Sequence, residues 1–289
     1  GDTINLDFSQ LALSYNTAHV ATASSIGASG TQNFTIASST NSSQTSDYSF
    51  TPATISTVAA TITPATLTAT LSNAGVTKVY DGGITAPNGF TPNWTVQGLV
   101  SGDTAATLTY TSAAYNTKNV GSNTLALSGV AVGSVTGNHG SQATDYVVDS
   151  STKSVAAAIT RLSSVTWIGG TSGNWFDPAN WAGGAVPDLS NVANVIIPAG
   201  TTVSFGSTVV APAQAGTVNI DSVGTAGSLS MTAGNLNVGA GGVTLNTLNQ
   251  SGGTLSSSGN MQLASFQQTG GSTSTTGNFS TTTQFSQSG

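Results

Sequence analysis

Leu248-Asn249-Gln250-Ser251-Gly252-Gly253-Thr254-Leu255-Ser256-Ser257-Ser258-Gly259-Asn260-Met261 is followed, eighteen residues on, by Phe266-Gln267-Gln268-Thr269-Gly270-Gly271-Ser272-Thr273-Ser274-Thr275-Thr276-Gly277-Asn278-Phe279. Gln-Ser/Thr-Gly-Gly recurs, and so does Ser/Thr-Gly-Asn-apolar. Leu248, Phe266 and Phe285 mark equivalent points at steps of 18 and 19. A period this short, built of Thr, Ser, Gly and alternating apolar residues, predicts a parallel β-helix. Coils then stack about 4.8 Å apart, so equivalent residues lie on one another. Leu248, Phe266 and Phe285 are expected in one inner column, with Met261 on Phe279. Gln250, Gln268 and Gln287 are expected to form an amide ladder, as are Asn260 and Asn278. The Gly-Gly pairs are expected at corners that need positive φ. Residues 199–289 should hold about five coils, the early ones (Val218, Ile220, Leu229, Leu236, Val243) less regular.

Working upstream, residues 162–198 hold three of the four Trp: Trp167, Trp175 and Trp181, spaced by Gly. Flat rings can form a sugar-stacking platform, but buried Trp is more often packing. The segment reads as a linker and hydrophobic plug that caps the first coil. The Gly289 end falls inside a repeat, which leaves the last coil uncapped.

The first 161 residues contain a second, longer repeat. Ser14-Tyr15-Asn16-Thr17-Ala18-His19-Val20 matches Ala114-Tyr115-Asn116-Thr117-Lys118-Asn119-Val120. Ser46-Asp47-Tyr48 matches Thr144-Asp145-Tyr146, and Ala60-Thr61-Ile62-Thr63 matches Ala157-Ala158-Ile159-Thr160. Three matches in one order, with a slowly drifting offset, describe one module copied with small insertions. Residues 66–161 read as a complete copy. Residues 1–65 read as the C-terminal part of another, lacking the portion from Leu67 to about Tyr110. Within the complete copy Leu67, Ala69 and Leu71 alternate with Thr68, Thr70 and Ser72, and Val76, Lys78 and Tyr80 alternate with Thr77 and Val79, as half-buried strands do. Turn residues fall at Asp81-Gly82-Gly83, Asn88-Gly89, Ser101-Gly102-Asp103 and Asn138-His139-Gly140. The fold class is therefore all-β: tandem β-sandwich-like modules, Ig-like or grasp-like, followed by a parallel β-helix.

Lys78-Val79-Tyr80-Asp81-Gly82, Val96-Gln97-Gly98-Leu99-Val100-Ser101-Gly102-Asp103, Tyr115-Asn116-Thr117-Lys118-Asn119-Val120-Gly121 and Asp145-Tyr146, in that order, resemble the YDG-type repeat. That repeat occurs in large bacterial exoproteins of the filamentous-haemagglutinin and two-partner-secretion kind. The likeness covers residues 66–161 and the partial copy. One stretch departs from the pattern: where the repeat usually resembles Ala-Gly-Asn-Tyr, this chain has Gln142-Ala143-Thr144-Asp145-Tyr146 and Gln44-Thr45-Ser46-Asp47-Tyr48. The resemblance implies export through an outer-membrane transporter and a surface-exposed or secreted location. The Trp-rich segment likewise resembles the lead-in found before β-helices in such exoproteins.

Composition agrees with an extracellular β protein. Charged residues make up 5%, against about 25% in ordinary domains. There are four basic residues, every acidic residue is Asp, and Cys is absent. A net charge of −6 with four scattered cations excludes phosphate-backbone binding, so no nucleic-acid partner is expected. Two His and no Glu or Cys leave little for acid–base or nucleophilic catalysis, and no catalytic residue is assigned. Lack of Cys suits a long exported chain. Gly1-Asp2-Thr3 shows no secretory signal, and no run of about 18 apolar residues would cross a membrane as a helix. The abrupt start and finish suggest a piece of something larger.

Candidate sites are few. His19 and His139 are metal-binding types but occupy different repeat positions without companion ligands, so zinc is not expected. Asp47, Asp145 and Asp149 are calcium-type ligands at module junctions, without the spacing of a calcium loop. Lys78 or Lys118 beside an Asn would suit an isopeptide staple, which needs a buried acid. No Gly-x-Ser-x-Gly elbow supports a Ser-His-Asp triad. Asn33, Asn41, Asn93 and Asn278 fit the glycosylation pattern. No cofactor or metal is assigned. The expected role is a non-enzymatic adhesin stalk whose partner is a host, matrix or neighbouring-cell surface, including glycans. The alternative is a filament or sheath subunit that pairs with itself head to tail. A delivery stalk for a toxin is a third reading.

Overall fold

The computed structural model describes residues 1–49, 56–206 and 217–288. Among these, all regular structure is strand apart from four three-residue 3-10 turns. The chain clusters into two compact units. One comprises residues 1–71, 94–111 and 128–153, the other residues 72–93, 112–127 and 154–289.

The solenoid lies in the second unit. An 11-stranded, parallel sheet winds from Leu162–Thr166 to Phe279–Gln287. One inner column runs Val165, Val195, Val223, Val243, Met261, Phe279. A second runs Val203, Leu229, Leu248, Phe266, Phe285. A third runs Val218, Leu236, Leu255, Thr273. The stacks expected for Leu248, Phe266 and Phe285, and for Met261 and Phe279, are therefore present. So is the amide ladder: Gln268 Nε2 donates to Gln250 Oε1 and Gln287 Nε2 to Gln268 Oε1, each at 3.0 Å. Gln250 and Gln268 are buried, so each amide needs its partner on the next coil. Asn260 and Asn278 behave differently. Asn278 N donates to Asn260 Oδ1 at 2.9 Å, so the side chain holds the next coil's backbone and no amide pair forms. At the Gly-Gly corners the two glycines have separate reasons. Gly253 and Gly271 have φ of 74° and 77°. A Cβ on Gly252 would fall 2.1 Å from Thr232 O, so only Gly allows that close approach.

The parallel ladder begins earlier than the sequence division at residue 199. Leu162–Thr166 pairs with Val192–Ile196, and Ser172–Asn174 pairs with Thr202–Phe205. The Trp-bearing segment is thus the first coil and not a separate cap. Its coil spacing, Val165 to Val195, is 30 residues because a long excursion carrying Trp175 and Trp181 separates its strands, and this hides the period. The packing reading of the aromatics holds: Trp167, Trp175 and Trp181 are buried. Trp181 meets Trp167 and Trp175 edge-on at 5.2 Å, and Trp175 meets Phe205 at 5.1 Å. Their indole N–H groups reach the carbonyls of Gly170, Trp175 and Pro187.

The same unit contains a four-stranded sheet ordered Ser112–Tyr115, Gly121–Ser128, Lys153–Thr160, Val76–Val79. Its buried Val76, Tyr80, Tyr115, Leu125 and Ile159 belong to one hydrophobic cluster with the solenoid columns.

The first unit shows the longer repeat as paired geometry. Thr3–Asp7 pairs antiparallel with Asn33–Ser38, as Asp103–Thr109 does with Ala131–Gly137. Leu11–Tyr15 pairs with Ser25–Gly30 in the same unit. The turns Thr45–Asp47 and Ala143–Asp145 share one capping arrangement. Tyr48 donates to Asp2, and Tyr146 donates to Asp103. The correspondence therefore reaches back to Gly1-Asp2-Thr3, equivalent to Gly102-Asp103-Thr104, further upstream than the sequence motifs alone indicate. In the complete copy Tyr146–Val148 runs parallel to Ala65–Leu71, and Trp94–Gln97 pairs antiparallel with the other edge of that strand.

Leu248 is fully buried between Leu229 and Phe266, whereas Leu13 is 74% exposed. Leu248→Ala is expected to lower the unfolding free energy by about 2–5 kcal/mol in urea denaturation. Leu13→Ala is expected to change it by less than about 0.5 kcal/mol.

Candidate functional site

Strand alternation in Val76–Val79 turns Lys78 inward, with Tyr80 following on the same side. A buried cation needs full pairing. Lys78 Nζ donates to Asp81 Oδ1 at 2.7 Å, Gly83 O at 2.8 Å and Thr85 O at 3.1 Å, and lies 5.3 Å from the Tyr115 ring centroid. No Asn is among these partners, so the isopeptide arrangement does not form at Lys78. The Tyr80 hydroxyl lies 2.9 Å from Val186 O and 3.1 Å from Asp188 Oδ1. Burial pushes this phenol far above its ordinary range, and the Asp188 charge adds to it. Gly82 has φ of +78°, and a Cβ there would fall 2.5 Å from Gly184 O. The Tyr-Asp-Gly triplet is thus a docking element: the Tyr hydroxyl anchors it, the Asp holds the buried Lys, and the Gly admits the neighbouring backbone.

A second loop completes the joint. Lys118 Nζ donates to Asp188 Oδ2 at 2.8 Å, and this carboxylate is only 8% exposed. Asn191 Nδ2 donates to Asp188 Oδ1 at 2.6 Å and to Asn119 Oδ1 at 3.1 Å. Val120 N donates to Asn191 Oδ1 at 2.8 Å. Asp188 and Asn191 lie in the excursion of the first coil, and Leu162 N donates to Asn191 O. Only Arg161 separates strand Lys153–Thr160 from strand Leu162–Thr166, and Arg161 is itself paired with Asp221 at 2.8 Å.

Residues 63–154 match the YDG domain family. The Tyr80-Asp81-Gly82 triplet and the Lys118-Asn119-Val120 loop of the YDG domain are the parts that dock on the first coil. No curated protein and no solved structure matches the chain.

Of the remaining candidates, His19, Asp145 and Asp149 are paired within the fold. His19 Nδ1 lies 2.8 Å from Asp145 Oδ2, and Val20 N donates to Asp145 Oδ1 at 2.8 Å. Burial pushes the Asp145 carboxyl up. The hydrogen bonds from Gln142 N–H, His19 and Val20 N–H outweigh it, and the group ionises below the ordinary Asp range. Asp149 takes Lys153 Nζ at 2.8 Å on both oxygens, with Ser151 N and Ala69 N, which holds it well below that range. Among the described residues no group of three or more His and Asp side chains converges on a metal position. His139 is exposed beside Gly102. Asn33, Asn41, Asn93 and Asn278 are all exposed. A groove of about 290 Å³ on the solenoid, lined by Asn194, Ser222, Gly224, Thr225 and Thr244 among others, holds no titratable side chain.

Sequence reasoning missed Asp188 and Asn191. The available signal was the scarcity of charge: all four basic side chains are paired to an Asp, each within 2.8 Å. In such a chain every carboxylate invites the question of which cation it holds.

Gly82→Ala is expected to destabilise the second unit by several kcal/mol, since it combines positive φ with a backbone clash; differential scanning calorimetry checks it. For Asp145 the folded-state value lies below the unfolded one. Its contribution is therefore present above the ordinary Asp range and lost as pH falls through the lowered value. Asp145→Asn is expected to flatten the fall in melting temperature as pH drops below the ordinary Asp range, relative to the unchanged chain.

Proposed function

We propose that this chain is part of a secreted or cell-surface bacterial exoprotein of the filamentous-haemagglutinin, two-partner-secretion kind, where it serves as a non-enzymatic adhesin stalk. The observation that carries the reading is the joint just described. The four-stranded sheet that the YDG domain helps to build passes into the solenoid through one residue, Arg161, and that sheet and the solenoid coils fill a single core. A coil-by-coil ladder resists bending because each coil pairs its backbone with the next. A sheet joined to it without a linker extends the same core. That is what a stalk carrying a contact surface requires.

Composition supports the same reading. With every Lys and Arg side chain internally paired, the exterior is poor in cations and rich in hydroxyls and amides, suited to contacts with glycans or matrix that survive in salt. The lack of Cys is compatible with passage unfolded through an outer-membrane transporter.

The test pairs two measurements on the same preparation. Light scattering across a hundredfold concentration range is expected to give a constant monomer mass. Beads coated with the protein are expected to bind bacterial or host cells saturably, with little change between 50 and 500 mM salt. Growth into regular polymers would replace the stalk with a self-assembling filament. A constant monomer whose beads bind no more than albumin-coated beads would overturn adhesion by this segment.

A further inference from the structure

Two loops of the chain are folded alike and close on their receptors in the same way. In Tyr15-Asn16-Thr17-Ala18-His19-Val20, Thr17 Oγ1 accepts from His19 N at 3.2 Å and Asn16 Oδ1 accepts from Ser24 N at 3.1 Å. In Tyr115-Asn116-Thr117-Lys118-Asn119-Val120, Thr117 Oγ1 accepts from Asn119 N at 3.2 Å and Asn116 Oδ1 accepts from Thr124 N at 3.0 Å. Each folded loop presents one side chain and the next residue's N–H, and together they grip the head of a single receptor side chain. His19 and Val20 N grip the carboxylate of Asp145. Asn119 and Val120 N grip the carboxamide of Asn191.

The chemistry of each pair is matched. A carboxylate offers two acceptors and meets an N–H on each. A carboxamide offers one acceptor and one donor; its oxygen meets the Val120 N–H, and its nitrogen meets the Asn119 oxygen.

Asp145 has a repeat equivalent, Asp47. The preceding Gln44 and Gln142 have nearly the same backbone (φ −110°, ψ 163° and φ −105°, ψ 160°). Gln44 N donates to Asp47 Oδ2 at 2.8 Å, as Gln142 N does to Asp145 Oδ2. The following Tyr48 and Tyr146 hold Asp2 and Asp103. One difference remains. Asp47 is exposed, and among the described residues its Oδ1 has no hydrogen-bond partner, whereas the same atom of Asp145 takes Val20 N–H.

We infer that Asp47 is the receptor half of a third joint of this type. Its occupant is the Asn-Thr-x-x-Val loop of another YDG-type module. That loop donates its Val N–H to Asp47 Oδ1 and a donor side chain, at the position of His19, to Asp47 Oδ2. A loop with an acceptor there, as Asn119 is used, is disfavoured. The inference rests on the repeat geometry and stands independently of adhesion.

The repeat supplies its own probe. Because Gly1-Asp2-Thr3 corresponds to Gly102-Asp103-Thr104, a chain carrying an extra copy of residues 1–101 ahead of Gly1 keeps the repeat register. Hydrogen exchange at the Val20 amide of the added copy is expected to be at least tenfold slower with Asp47 intact than in Asp47→Ala. Asp47→Asn should also lose the protection, and His19→Asn in the added copy should restore it. Protection independent of Asp47 would overturn the inference. If the lengthened chain does not fold, a cyclised peptide of residues 15–26, closed across the Tyr15–Ile26 pair, is titrated into the 289-residue protein. NMR shifts at Gln44 and Asp47 that vanish in Asp47→Ala support the joint. No shifts, or shifts unchanged by Asp47→Ala, overturn it.

Discussion

A parallel solenoid is held together by one requirement: the backbone groups and inner side chains of every coil must be met by the coil before and after. In this chain the requirement is hardest at the first coil, where no preceding coil exists. There the buried side chains of the four-stranded sheet join the coil interior, while the sheet's backbone ladder stays separate from that of the solenoid. Tyr80 and Ile159 continue the apolar interior into the aromatic nest of Trp167, Trp175 and Trp181, and Tyr80 N donates to Thr160 O beside the point where the chain crosses over. The polar rim of that contact is Asp188, which draws Lys118, Asn191 and the Tyr80 hydroxyl around one buried carboxylate. Leaving any of these unpaired would carry the desolvation cost of a buried polar group.

This explains the small number of charges and where they lie. A chain with four cations places each against an Asp at a turn or a joint. Lys78 and Lys153 are almost fully buried, so they act as fastenings within the fold and not as surface charge. The exterior then carries few cations, and hydroxyl and amide groups share it with exposed apolar side chains such as Leu13 and Phe285.

The legible part of the fold was the part where neighbours in space are copies in sequence. From Val243 onward coils follow at 18 or 19 residues, and the columns of Leu248 and Gln250 could be read directly. The earlier coils follow the same ladder, but the 30-residue step from Val165 to Val195 removes the period that would reveal them. The repeat before residue 161 was visible in its Tyr-Asn-Thr loops and Asp-Tyr turns. Its start at Gly1-Asp2 was not, because two short matched residues carry little signal until Tyr48 and Tyr146 are seen holding Asp2 and Asp103. The joints were illegible for a different reason. Asp188 lies 70 residues from Lys118, and nothing local marks it as a receptor.

The column that runs through Phe205 and Met231 changes character at Gln250, where aromatic and thioether packing gives way to amides, with Gln268 and Gln287 each donating backwards to the coil before. An amide in such a row presents the same face it receives. A further coil of the same composition could therefore be spliced in, or one removed, without leaving a mismatched seam. In that stretch the gene can change the reach of the protein in whole increments of one coil, by duplication or loss of a single short segment, while the YDG end of the molecule is untouched.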